Sequence, residues 1–161
     1  MRIIGLDPGT ARLGWGVIDV VDNVETAVAY GCIETPKEDK PGARLHQIAE
    51  ELTAIIEEFK PELAAVEELF FSKNQTTAMA VAGARGVITL TLHRTGVRAV
   101  KVGPSQVKLS LTGDGNADKK QMQAMVARLL NLDKVPKPDD AADGLALALV
   151  GWRFDQPVDT E

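Results

Sequence analysis

Four acidic residues stand where a carboxylate is costly unless something cationic meets it. Asp7 ends the apolar run of "RIIGLD", and Pro8 and Gly9 follow at once, fixing the chain so that the carboxylate projects from a strand end. Glu67 closes "LAAVE" in the same manner. Asp140 and Asp143 stand three positions apart in "DDAADGLALALVGW" and therefore share one face of a helix. A carboxylate beside an apolar sheet has to be paired, hydrogen-bonded or bound to a metal. No Lys or Arg adjacent in sequence compensates these four. A set of all-oxygen ligands suits Mg²⁺ or Mn²⁺ better than zinc or copper. Each acid alone also has an ordinary role. Asp139 and Asp140 follow Pro138 at a helix start, where free N–H groups and the helix dipole favour acids. Asp7 equally suits a turn ahead of Pro-Gly, and Glu67 a solvated strand end.

The elements that must position these acids alternate along the chain. "RIIGLD" and "LGWGVID" read as strands around a Pro-Gly turn, and "TAVAYGCIET" as a third, which predicts an antiparallel meander. Residues 44–59 then place Leu45, Ile48, Leu52, Ile55, Ile56 and Phe59 three and four apart, the spacing of an amphipathic helix. "ELAAVEE" is short and apolar, as a buried strand is. A helix is predicted for "NQTTAMAVAGARGVITLTLHRTG", a strand for "VRAVKV", a short helix from Pro104, and amphipathic helices for "DKKQMQAMVARLLNL" and "PDDAADGLALALVGW". This order predicts an α/β fold, a mixed five-stranded sheet with helices on both faces. One domain is expected over 1–154, with 155–161 as a polar, frayed tail.

Composition limits the classes of function. With 161 residues, 45% hydrophobic and 25% charged, the chain is globular in character, close to the average of roughly 45 to 50% apolar. Its single cysteine, Cys32, has no partner for an internal disulfide, and with two histidines there is no zinc-site spacing. No basic and apolar leader opens the sequence, and no apolar run approaches the roughly 18 residues of a membrane span. A cytoplasmic protein that does not enter membranes is the expectation. The formal net charge is −5, yet between Leu69 and Leu130 nine basic residues face only Asp114 and Asp118. That segment is either a set of solvated helix faces or a basic surface for a phosphate backbone.

"GLDPGTARLGWGVID", "AVEELFFSKN", "QVKLSLTGDGNADKKQM" and "DDAADGLALAL" resemble, in this order and spacing, the RuvC-type Holliday junction resolvases, over roughly residues 1 to 152. The resemblance implies an RNase H-like fold and a catalytic, metal-binding tetrad of Asp7, Glu67, Asp140 and Asp143. "VEEL" holds two glutamates. Glu67 is chosen over Glu68 because it ends the apolar run and leaves Phe70 at the family's aromatic position. The resemblance further implies a homodimer that nicks two opposed strands of a four-way DNA junction symmetrically, in recombination and DNA repair. Two Mg²⁺ or Mn²⁺ ions per site would be shared by the tetrad, with Asp7 between them. It implies DNA-binding roles for Phe70, Lys73, Lys108, Lys119 and Lys120, with Phe70 stacking on bases at the branch point. A branch-migration motor complex is the partner it implies, and "AVAGARG" a helix that helps form the dimer. Other readings are a sugar-kinase-like ATPase, a junction-binding protein without catalysis, and a generic RNase H-type nuclease. Length speaks against the first and the complete tetrad against the second; an aromatic wedge and a dimer distinguish the third.

Overall fold

The computed structural model describes residues 1–9, 11–68 and 75–155. In chain order the elements are β1 (Arg2–Pro8), β2 (Arg12–Val21), β3 (Val24–Glu34), α1 (Pro41–Phe59), β4 (Leu63–Glu67), α2 (Gln75–Thr95), β5 (Arg98–Val102), α3 (Pro104–Thr112), α4 (Lys119–Leu129) and α5 (Asp139–Phe154). The expected meander forms: β1, β2 and β3 pair antiparallel, and β2 turns into β3 through Asp22 and Asn23, both at positive φ, a conformation these two side chains tolerate. α1 then carries the chain across the sheet, so that β4 adds to the far side of β1, parallel to it, and β5 adds parallel to β4. The order is β3-β2-β1-β4-β5, a mixed five-stranded sheet.

Side chains alternate across this sheet with period two, and each face buries a separate core. Ile4, Leu6, Leu13, Val17, Ala64 and Val66 pack against Ile48, Leu52 and Ile56 of α1 and Ile88 and Leu92 of α2. Ile3, Ile18, Val20, Leu63, Ala65 and Val102 face the other way, toward α3, α4 and α5. Helices therefore cover both faces, as predicted. α1 starts at Pro41, earlier than the apolar spacing indicates. Proline suits a first helical turn, where its missing N–H costs nothing, whereas periodicity becomes visible only once the helix buries a face.

α5 differs from the other helices in how near it comes to the sheet. A Cβ on Gly5 would lie 1.9 Å from the Gly144 carbonyl oxygen, one on Gly14 2.1 Å from that of Asp140, and one on Gly144 2.4 Å from the Trp15 carbonyl carbon. Helix and sheet backbones meet directly, and only glycine fits between them. Ala141, Ala142, Leu145, Leu147, Ala148 and Leu149 of this helix are almost wholly buried. Among the described residues no helix is long and apolar enough to cross a membrane. Asp155 follows α5 and accepts hydrogen bonds from both terminal guanidinium nitrogens of Arg98, while residues 156–161 lie outside those described.

Candidate active site

The parallel pairing of β1 with β4 decides where two of the acids meet. Leu6 lies beside Val66, so the next residues, Asp7 and Glu67, end adjacent strands on the face that α5 covers. Glu68 falls past the strand and lines no part of the cleft that Asp7 and Glu67 share. The glycine-mediated approach of α5 brings Asp143 over the same strand ends. These three acids, with Lys108 of α3 and Lys119 of α4, line a cleft of about 240 Å³ whose floor includes Val107, Met122 and Leu147. Asp140, one turn earlier on α5, is not among the residues that line this cleft and faces Arg12 at the start of β2.

The electrostatics follow from burial of like charges. The Asp7 carboxyl is pushed up to about 8, first by burial and then by the nearby Glu67 and Asp143. Glu67 is also raised, chiefly by burial, with hydrogen bonding to Asp7 acting in the opposite direction. Burial raises Asp143 as well, against the opposing pull of Lys119. Burial acts to lower the Lys119 ammonium, but Asp143, Asp139 and Asp140 outweigh it and hold it above its ordinary value. Its Nζ stands 3.6 Å from both Asp143 and Asp139. Arg12 stands 3.5 Å from Asp140 on one side and 3.5 Å from Glu34 on the other.

The donors match a hard divalent cation in kind: every candidate ligand is a carboxylate oxygen, and burial of these like charges raises Asp7 and Glu67, which a bound cation would offset. Among the described residues no three acidic, Cys or His side chains converge on one ion-sized point. Lys119 and Arg12 hold the two α5 acids instead. Sequence adjacency offers no hint of this compensation, since Arg12 and Asp140 are 128 positions apart. Lys119, read from the sequence as a phosphate contact, is thus also a counter-ion within the site. Lys108 is half-buried at the cleft, and Lys120 is exposed on α4 outside its lining. Phe70 and Lys73 lie outside the described residues.

The chain as a whole has counterparts among known proteins. The family model described as Crossover junction endodeoxyribonuclease RuvC matches residues 3–151. A protein of that name from Heliobacterium modesticaldum is 49% identical over 149 residues, which cover 92% of each chain. The solved Thermus thermophilus RuvC structure superposes with a TM-score of 0.85 at 33% identity, covering 93% of this chain and 92% of that one. The structure of T. thermophilus RuvC in complex with Holliday junction substrate matches with the same TM-score at 30% identity and the same coverage. The family is one of metal-dependent nucleases with an RNase H-like fold. A match from β1 into α5, carried by sequence and fold together, leaves one conclusion: the chain belongs to the RuvC family of crossover junction endodeoxyribonucleases.

Proposed function

We propose that the chain is a structure-selective endonuclease that resolves four-way DNA junctions by paired, symmetric nicks, acting as a homodimer whose nuclease domain spans 1–154. The observation that carries this reading is the meeting of Asp7, Glu67 and Asp143 in one cleft faced by Lys108 and Lys119. Asp7, Glu67, Asp140 and Asp143 would hold two Mg²⁺ or Mn²⁺ ions, which supply an acidified attacking water and neutralise charge on the phosphate and its leaving 3′ oxygen. Asp7 and Glu67 are anchored on strand ends, so their oxygens are fixed by the sheet rather than by a loop. Lys108 and Lys119, which line the same cleft, orient a phosphodiester. Phe70 serves to hold branch-point bases unstacked, and Lys73 and Lys120 extend the phosphate contacts. A branch-migration motor complex that delivers the junction, and a cytoplasmic site of action, complete the reading.

The test is incubation with a labelled four-way junction and with linear duplex of equal length, in Mg²⁺, Mn²⁺ or EDTA. Paired nicks on the junction alone, dependent on the cation, are expected. Equal cutting of linear duplex, or cutting that survives EDTA, would replace resolvase with a general nuclease or a metal-free reaction.

The lysines have a separate expected signature. Each phosphate contact releases condensed counterions, so log affinity for the junction falls linearly with log salt. Lys108→Ala and Lys119→Ala should each make that slope shallower by close to one. Junction-binding isotherms between about 50 and 200 mM salt measure it, and unchanged slopes in both variants would remove these lysines from the DNA surface.

A further inference from the structure

Lys119 is divided between two acids with different positions. Its Nζ stands 3.6 Å from Oδ2 of Asp143, which lines the cleft, and 3.6 Å from Oδ2 of Asp139, which does not. The other Asp139 oxygen accepts a hydrogen bond from Lys137 Nζ at 2.9 Å, so this carboxylate is itself held in place. Arg12 repeats the construction at Asp140, with Glu34 as its outer partner, each at 3.5 Å. Each α5 acid of the site therefore meets a cation that is tethered by a further acid outside the site.

We propose that Asp139 is a positioning residue for metal binding: it receives the Lys119 ammonium when a divalent cation takes Asp143. The inference rests on Asp143 being a metal ligand, as read above. A cation approaching Asp143 meets an ammonium at the same carboxylate, and the two like charges compete for it. Displacing Lys119 into solvent would abandon an ion pair without replacement. With Asp139 already at the same distance, the ammonium shifts its weight from one partner to the other by rotation of its flexible four-carbon stem, and the backbone stays still. Lys119 also stays beside the cleft, where its charge remains available to an incoming phosphate. Asp139 has two other ways to act: its own charge could attract the cation directly, or it could stabilise the first turn of α5 through the helix dipole. Both are independent of Lys119, and that separates them from the proposed role.

The measurement is Mn²⁺ binding to the DNA-free protein by titration calorimetry, for wild type, Asp139→Asn, Asp139→Glu, Lys119→Met and the Lys119→Met/Asp139→Asn double variant. Melting curves confirm that each is folded. Asp139→Asn should weaken binding by about threefold to fivefold, the scale of an exposed ion pair. Asp139→Glu, which keeps a carboxylate within reach, should restore wild-type affinity. Lys119→Met should bind Mn²⁺ more tightly than wild type because the competitor is gone. In that background the loss of Asp139 should change affinity by less than about 1.5-fold, since it acts only through Lys119. Wild-type affinity in Asp139→Asn, an equal loss with and without Lys119, no rescue by Glu, or no gain in Lys119→Met would overturn the inference while leaving the metal site intact. Absence of Mn²⁺ binding in both wild type and Lys119→Met would overturn the metal reading, and this inference with it.

Discussion

Asp7→Asn is expected to abolish cleavage of a four-way junction while preserving junction binding and raising the thermal stability of the metal-free protein at neutral pH. The loss of activity should be at least about a thousandfold, because charge stabilisation through bound cations is worth several kcal/mol and each 1.36 kcal/mol is about tenfold in rate. Binding survives because it rests on basic residues and junction shape, and removing a negative charge from the cleft favours an approaching phosphate. The stability effect follows from the proton affinity of Asp7. Its carboxyl titrates near 8 in the folded chain, driven there by burial and by Glu67 and Asp143, and near 3.9 when unfolded. Between these values the folded state holds a proton that the unfolded state has released, so stability falls as pH rises from about 4 to about 8. Glu67 and Asp143, both raised by burial, push in the same direction. The variant lacks the Asp7 contribution. Relief of even about 1.4 kcal/mol raises the melting temperature of a domain of this size by about 3 to 5 °C. The gain should be largest near pH 8 and vanish toward pH 4. Melting curves in EDTA across that range decide it: a variant that melts at or below wild type at pH 8, or a gain independent of pH, would mean that Asp7 is not a buried, uncompensated acid.

Gly144→Ala should damage both stability and activity although it adds one methyl group. The new Cβ would lie 2.4 Å from the Trp15 carbonyl carbon and 2.6 Å from the Gly16 nitrogen, which are backbone atoms that cannot rotate away. Overpacking of this kind costs about 1 to 3 kcal/mol, and the better helix propensity of alanine returns at most about 1. A net loss of about 2 kcal/mol lowers the melting temperature by about 4 to 8 °C. If α5 instead backs away from the sheet, Asp143 and Asp140 move with it relative to Asp7, and a misplacement of about 1 Å in a catalytic site can cost on the order of a hundredfold in rate. Gly42→Ala is the control: a Cβ there meets nothing within 4 Å, so that variant should melt at or slightly above wild type. A Gly144→Ala protein that melts within about 1 °C of wild type and cuts junctions normally would contradict the direct contact of α5 with β2.

Local information in the sequence was sufficient for the elements and for the direction each residue faces. Short apolar runs identified β1 and β4, and the points where those runs stop placed Asp7 and Glu67 at strand ends, while the three-residue spacing of Asp140 and Asp143 placed both on one helix face. The choice of Glu67 within "VEEL" rested on where the apolar run stops, and the strand ends there. These are short-range regularities, since the backbone period dictates them without reference to the rest of the chain. The tertiary structure alone decided what the acids meet. Nothing local dictates that β4 docks beside β1 and not at the β3 edge; that depends on the α1 crossover and on which faces can be buried together. Gly5, Gly14, Gly16 and Gly144 lie within the predicted strands and helix with nothing local to link them, and only the packing of α5 on β1 and β2 shows them as the contact that sets the helix over the strand ends. Arg12 with Asp140, and Lys119 with Asp143, are pairings of residues distant in sequence, formed because an uncompensated charge near a buried sheet is costly and a cation within reach reduces that cost.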